Sequence, residues 1–168
     1  TNYLKMPKEE NTLILGIGGV GKHLAQRLAH EGYPITVIES DSELLEHASE
    51  SLDARLICGN AMQLSSWHEA NAEDMGLMIA ATNNDSTNML SSLIADKFGI
   101  DRKIVRSRSL DFTNDSMFSP DELKIDLMVH PEELVAQEIY RLVKRASCND
   151  LISVGEGNML VLALRINE

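Results

Sequence analysis

Hydrophobic and polar positions along this chain follow two periods in turn. Short apolar runs at Thr12-Leu13-Ile14-Leu15, Ile35-Thr36-Val37-Ile38, Ala54-Arg55-Leu56-Ile57-Cys58, Gly76-Leu77-Met78-Ile79-Ala80-Ala81 and Lys103-Ile104-Val105-Arg106-Ser107-Arg108 predict five strands. Ile125-Asp126-Leu127-Met128-Val129 predicts a sixth, at an edge. The unbroken apolar character of the fourth suits a parallel sheet covered on both faces. Helical spacing fills the intervals. Leu24, Ala25 and Leu28 share one face while Lys22, Gln26 and Arg27 lie away from it, and Gly32 and Pro34 end that helix. Asp41-Ser42 reads as a helix cap before Leu44, Leu45 and Ala48. A short helix around Gln63 to Ala70 carries the only tryptophan, Trp67, and a longer one buries Met89, Leu90, Leu93, Ile94 and Phe98 before Gly99. Strict alternation of this kind implies an α/β fold with a right-handed, doubly wound parallel sheet.

The end of the chain differs in kind. His130-Pro131-Glu132-Glu133 starts a helix striped by Leu134, Ile139, Leu142 and Val143, and residues 150–154 and 159–166 read as a terminal β-hairpin around Gly155-Glu156-Gly157-Asn158. The expected organisation is an N-terminal extension (1–11), a nucleotide-binding domain (12–130), a connecting helix (131–147) and the truncated start of another subdomain (148–168).

The junction of the first strand and helix carries the chemistry. Gly16-Ile17-Gly18-Gly19-Val20-Gly21 has the spacing G-x-G-x-x-G directly after a strand, and Glu39 closes the second strand eighteen residues past Gly21. Gly16 permits the sharp turn, Gly18 leaves room for a pyrophosphate, and Gly21 lets the helix pack on the sheet. The helix N-terminus then faces the phosphates, and a carboxylate at position 39 accepts ribose hydroxyls. Strand, turn, helix, strand and acid together define a Rossmann-like unit. Its ligand lies beyond the carboxyl ends of the strands, where strand order reverses. That places Gly16, Gly18, Gly19, Val20, Glu39, Ser40, Gly59, Asn60, Ala61, Thr82, Asn83, Asn88, Arg106 and Arg108 around one crevice. Arg106 and Arg108, two apart on a strand, are expected on one face, within reach of a ligand phosphate. Glu39 sets like charges side by side with a 2′-phosphate, and Ser40 offers no cation to offset them, so NADP is disfavoured.

Composition narrows the partners. A net charge of −11 and 4% aromatic residues argue against nucleic acid. No apolar run approaches about 20 residues, the length needed to span a bilayer as a helix. The opening TNYLKMPKEEN lacks the apolar stretch of a signal peptide, and its missing initiator Met reads as a processed or engineered end. Cys58 and Cys148 are then expected as reduced thiols in the cytosol. His23, His30, His47, His68 and His130 fall in no metal spacing. No G-x-S-x-G or other nucleophile–base arrangement is present.

In order and spacing, LGIGGVG, VIESD, CGNA, AATNNDSTNML, VRSRS and VHPEELVAQEI resemble the nucleotide-binding peripheral subunits of Trk-type potassium uptake systems (TrkA) and RCK/KTN domains generally, across residues 12 to 145. The resemblance implies a cytoplasmic, non-enzymatic regulator, peripheral at the inner face of the cell membrane. It would bind NAD(H) or an adenine nucleotide (ATP, ADP, AMP), assemble as a homo-oligomeric dimer or tetramer, and gate a membrane potassium-translocating subunit. It assigns Gly16, Gly18, Gly19 and Val20 to the phosphates, Glu39 and Ser40 to the ribose, and Asn60 and Ala61 to the adenine. Thr82 and Asn83 fall under the second nucleotide half, with Arg108 and Arg106 facing phosphates. The chain departs from the family pattern at Asn60-Ala61-Met62, where Asp-Ala-Thr is common, at Gly19, where Gln or a larger residue is usual, and at Ser40, where a basic residue is usual. The alternative from a different class is an NAD-dependent oxidoreductase domain lacking its substrate domain, which would need a His or Lys acid/base beside the nicotinamide.

Overall fold

The computed structural model describes residues 11–109, 119–146, 150–154 and 159–163. The N-terminal extension up to residue 10, residues 110–118, Cys148 and the hairpin turn lie outside the described residues. Two compact units divide at His130 and Pro131.

The first unit is built on a six-stranded sheet of β1 (Thr12–Leu15), β2 (Ile35–Glu39), β3 (Arg55–Cys58), β4 (Leu77–Ala80), β5 (Arg102–Arg106) and β6 (Leu127–Val129). Every pairing is parallel and the order is β3-β2-β1-β4-β5-β6. The connecting helices are α1 (Gly19–His30), α2 (Ser42–Ser49), α3 (Leu64–Glu69) and α4 (Asp85–Lys97). Alternation along β1 separates the two cores. Leu13 and Leu15 join Ile38, Trp67, Met78, Met89 and Val105 on the face covered by α3 and α4. Ile14 joins Val37, Ala25, Ala48 and Ile79 on the face covered by α1 and α2. Each fully buried Leu or Ile stabilises by about 1.5–3 kcal/mol relative to exposure. The central strands β1, β2 and β4 are therefore the firmest part of the unit.

Local chemistry sets the element ends. Asp41 caps α2 by accepting from Glu43 N at 2.9 Å and Leu44 N at 3.2 Å, and Asn84 caps α4 by accepting from Thr87 N at 2.9 Å. After α1 the chain turns through Gly32 at φ +88°, a conformation that L side chains rarely adopt. The expectation that strand five runs to Arg108 is corrected: β5 ends at Arg106. Ser107 N still donates to Val129 O at 3.0 Å, but the Asp85 carboxylate on α4 takes Arg108 N and Ser109 N, drawing the chain out of the ladder.

The second unit contains α5 (Pro131–Ala146) and an antiparallel pair, β7 (Asp150–Val154) and β8 (Met159–Ala163), in register from Asp150↔Ala163 to Val154↔Met159.

Candidate functional site

Strand order reverses between β1 and β4, and the crevice opens over their carboxyl ends. β1 leaves the sheet through Gly16, at φ +88°, where an added Cβ would lie 2.8 Å from Thr82 Cα. The two central strands therefore abut as they end, and only glycine fits. Gly18 is the N-cap of α1 and brings no side-chain cap to the helix. A Cβ there, or at Gly19, meets nothing within 4 Å, whereas one on Gly21 would lie 2.1 Å from Gly16 O. Gly21 is thus the packing glycine, and Gly18 and Gly19 keep an open approach to the helix N-terminus. That terminus favours an anion by about 0.3–1 kcal/mol at an exposed site.

A cavity of about 350 Å³ lies over this turn. Of the sequence-derived candidates, Gly16, Gly18, Glu39, Ser40, Gly59, Asn60, Ala61, Thr82 and Asn83 line it, and Ile38, Asp41, Leu44, Asn84 and Thr87 complete the wall. Gly19 and Val20 stand at the start of α1, exposed, and are not part of the lining.

Glu39 is the hub. Its Oε2 accepts from Ile17 N at 2.9 Å, across the gap to the glycine turn, and its Oε1 accepts from Ser40 N at 2.7 Å, Asp41 N at 3.0 Å and Ser40 Oγ at 3.2 Å. One carboxylate oxygen is thus enclosed by three donors, and the other retains an acceptor position beside Ile17. The turn after β3 is equally fixed. Asn60 Oδ1 accepts from Met62 N at 2.8 Å, and the buried Trp67 Nε1 donates to Ala61 O at 2.8 Å. With oxygen directed at Met62, the Asn60 amide group is its remaining polar atom.

The opposite wall is a hydrogen-bonded frame. Asn88 is fully buried and lies off the cavity. Its Oδ1 accepts from Thr82 N at 3.0 Å and Thr82 Oγ1 at 2.6 Å, while its Nδ2 donates to Thr82 O at 3.1 Å and Arg106 O at 3.0 Å. Arg106 donates from Nη1 to Thr82 O at 3.2 Å, so its guanidinium is turned onto the end of β4. Arg108, with half its side chain exposed, sits at the rim. It donates from Nη2 to Asn83 O and pairs through Nε with Asp85 Oδ1 at 3.5 Å. The two arginines therefore do not act from one strand face, because Arg108 has left the strand.

Asp85 is a residue that the sequence reading did not single out. Its Oδ2 accepts from Arg108 N at 2.8 Å, Ser109 N at 3.0 Å and Ser107 Oγ at 3.4 Å. Burial works to raise its pKa, but the Ser109 and Arg108 backbone bonds and the Arg108 guanidinium outweigh it and hold the carboxyl below its usual value. The local signal was its place one residue after the Asn84 cap, where a carboxylate suits the helix dipole. Among the described residues, no group of three or more His, Cys, Asp and Glu gathers as a metal site, and no helix is long and apolar enough to cross a membrane.

An all-parallel sheet in this order, with its cavity at the strand reversal, defines a Rossmann-like α/β domain. Residues 12–131 match the TrkA-N domain, and the chain belongs to that family. It is 33% identical over 154 residues to a Trk system potassium uptake protein TrkA homolog of Methanothermobacter thermautotrophicus, covering 92% of this chain and 69% of that protein. It is 30% identical over 156 residues to the Trk system potassium uptake protein TrkA of Vibrio alginolyticus, covering 91% of this chain but only 34% of that one. Among solved structures, the TrkA-N domain of the inner membrane protein YbaL from Escherichia coli superposes with a TM-score of 0.68 at 22% identity, covering 79% of this chain and 96% of that one. The GsuK channel bound to NAD superposes at 0.65 with 21% identity, covering 83% of this chain and 24% of that one. These two likenesses show the fold.

Proposed function

We propose that this chain is the nucleotide-binding regulatory module of a potassium uptake system. The observation that carries the reading is Glu39, held by Ile17 N across from an uncapped helix N-terminus in an open cavity. The adenosine ribose would take the remaining acceptor position on Glu39, beside Ile17, with Ser40 at its side. The phosphates would lie over Gly16, Gly18, Gly19 and Val20, and the base against Gly59, Asn60 and Ala61. Thr82 and Asn83 would bound the second half of the ligand, with Arg108 at its rim and Asn88 and Arg106 bracing the wall. The ligand is NAD(H) or an adenine nucleotide (ATP, ADP or AMP). A 2′-phosphate would meet the carboxylates of Glu39 and Asp41, so NADP is rejected.

Family membership and relatives named as Trk potassium uptake proteins support the setting: a homo-oligomer, peripheral at the inner face of the membrane, acting on a potassium-translocating subunit. Binding would do its work by favouring one of two conformations, which needs differential affinity and no chemistry. The chain is therefore read as a binding module and not an enzyme. The test is to mix the protein with NADH and with NAD⁺, measure binding by calorimetry, and follow NADH absorbance for hours. Saturable binding without consumption of the dinucleotide is expected. Turnover in the presence of a simple carbonyl or alcohol panel would move the chain to the oxidoreductases.

A further inference from the structure

The crevice is short of positive charge. Among the described residues that line it, Glu39 and Asp41 are carboxylates and none is Lys or Arg. Two cations stand at the far wall: Arg106, whose Nη1 donates to Thr82 O at 3.2 Å, and Arg108, whose guanidinium is fastened to the Asn83 carbonyl and to the Asp85 carboxylate, 3.5 Å from Nε. Asp85 is mostly shielded from solvent, with 18% of its side chain exposed. It is held in place by the Arg108 and Ser109 N–H groups and by Ser107 Oγ. The second half of the crevice therefore presents a neutralised arginine over a fixed carboxylate.

On the reading above, we infer that Asp85 is a specificity-determining positioning residue, which neutralises Arg108 and so selects a dinucleotide with an uncharged distal half over a nucleoside triphosphate. The physical reason is charge accounting within one wall. A pyrophosphate bridge needs only the glycine turn and the helix N-terminus, which supply N–H groups and a partial positive charge. A dinucleotide then places a neutral sugar and base near Thr82 and Asn83. A triphosphate places its extra phosphate there, near Asp85, and can recruit Arg108 only by breaking an ion pair already made. Like charges at this range are costly wherever solvent is partly excluded.

The test uses the 168-residue chain and its Asp85→Asn variant. Asparagine keeps the shape and, with its oxygen toward Arg108 N and Ser109 N, retains the backbone bonds; its amide then faces Arg108 and cannot pair with it. Calorimetric titrations with NADH and with ATP, in EDTA, give the preference as a ratio of dissociation constants. The native chain should bind NADH more tightly than ATP, and Asp85→Asn should shift the ratio toward ATP by about tenfold, the scale of one charge at partly buried range. Arg108→Gln, which leaves Asp85 uncompensated, should shift the ratio the other way, and combined with Asp85→Asn it should cancel the gain for ATP. A merely structural role for Asp85 would weaken both ligands together and leave the ratio alone. An unchanged ratio in both single variants, or a native chain that prefers ATP, overturns the inference while leaving nucleotide binding intact. Failure of the native chain to bind either ligand overturns the underlying functional reading itself.

Discussion

The two glycines of the turn that look alike in sequence should behave in opposite ways when each is replaced by alanine. In Gly21→Ala, the new Cβ would sit 2.1 Å from Gly16 O, about 0.9 Å inside the 3.0 Å limit that real Cβ contacts keep. The obstacle is backbone, so α1 must move off the end of β1. Overpacking of this sort costs about 1–3 kcal/mol or more. The better helix propensity of Ala returns at most about 1 kcal/mol. A net loss near 2 kcal/mol lowers the melting temperature of a domain this size by roughly 4–8 °C. In Gly18→Ala, the Cβ meets nothing within 4 Å, and the backbone, at φ −61° and ψ −172°, suits any residue. Alanine is a poorer N-cap than glycine by roughly 0.5–1 kcal/mol, and stiffening the unfolded chain returns about 0.4–1 kcal/mol, so the two nearly cancel and stability should change by about 0.5 kcal/mol or less. The methyl, however, stands in the space that a pyrophosphate would use. Urea unfolding followed by NADH titration separates the two effects. Gly18→Ala should fold like the parent and bind at least about tenfold more weakly, the effect of losing about 1.4 kcal/mol. A Gly18→Ala variant that binds like the parent refutes the placement of the phosphates. A Gly21→Ala variant as stable as the parent refutes the close packing of α1.

Three further outcomes follow from the same geometry. Glu39→Gln should weaken every adenosine ligand and also lower stability by about 1–2 kcal/mol, because four donors lose a charged acceptor; calorimetry and urea unfolding that show lost binding with unaltered stability would contradict the hub role. Asn88→Ala should destabilise by about 1–3 kcal/mol, since it strands part-buried Thr82 and Arg106 backbone groups; a loss below about 0.5 kcal/mol in urea would count against the frame, being the size of an ordinary surface substitution. The Asp85 carboxyl has its pKa lowered by folding, so its stabilisation is present above the ordinary carboxylate value and is lost as pH falls through the folded value. The stability gap between the parent and Asp85→Asn should therefore be level at neutral pH and close as acid protonates the carboxyl; a gap that persists unchanged below both values would contradict the pairing.

The sheet was legible because its signals are local. The short apolar run of β1, the cap at Asp41, and the breaks at Gly32 and Gly99 each act within a few residues of themselves. The glycine turn and Glu39 were legible for the same reason, with the spacing encoding the strand–helix–strand geometry. What escaped depends on which partners the folded side chains find. Arg106 and Arg108 share a parity that puts them on one strand face, yet a carboxylate 23 residues before Arg108 ends the strand between them. Asn88 reads as a crevice residue from its motif, and only the folded structure shows it turned inward to tie Thr82 to Arg106. Glu39 was read as a free ribose acceptor, but three of its four donors come from the two residues that follow it. Local pattern gives the position of a side chain and leaves open how much of its bonding capacity the fold has already used.

The most direct measurement is a thermal-shift series on the purified chain with NAD⁺, NADH, NADP⁺, ATP, ADP and AMP, since a ligand that binds only the folded state raises its melting temperature by mass action. Stabilisation by NAD(H) or the adenine nucleotides, absent with NADP⁺ and reduced in Gly18→Ala, is the result expected of a Glu39-anchored crevice. Equal stabilisation by NADP⁺, or none by any of the six, would contradict it.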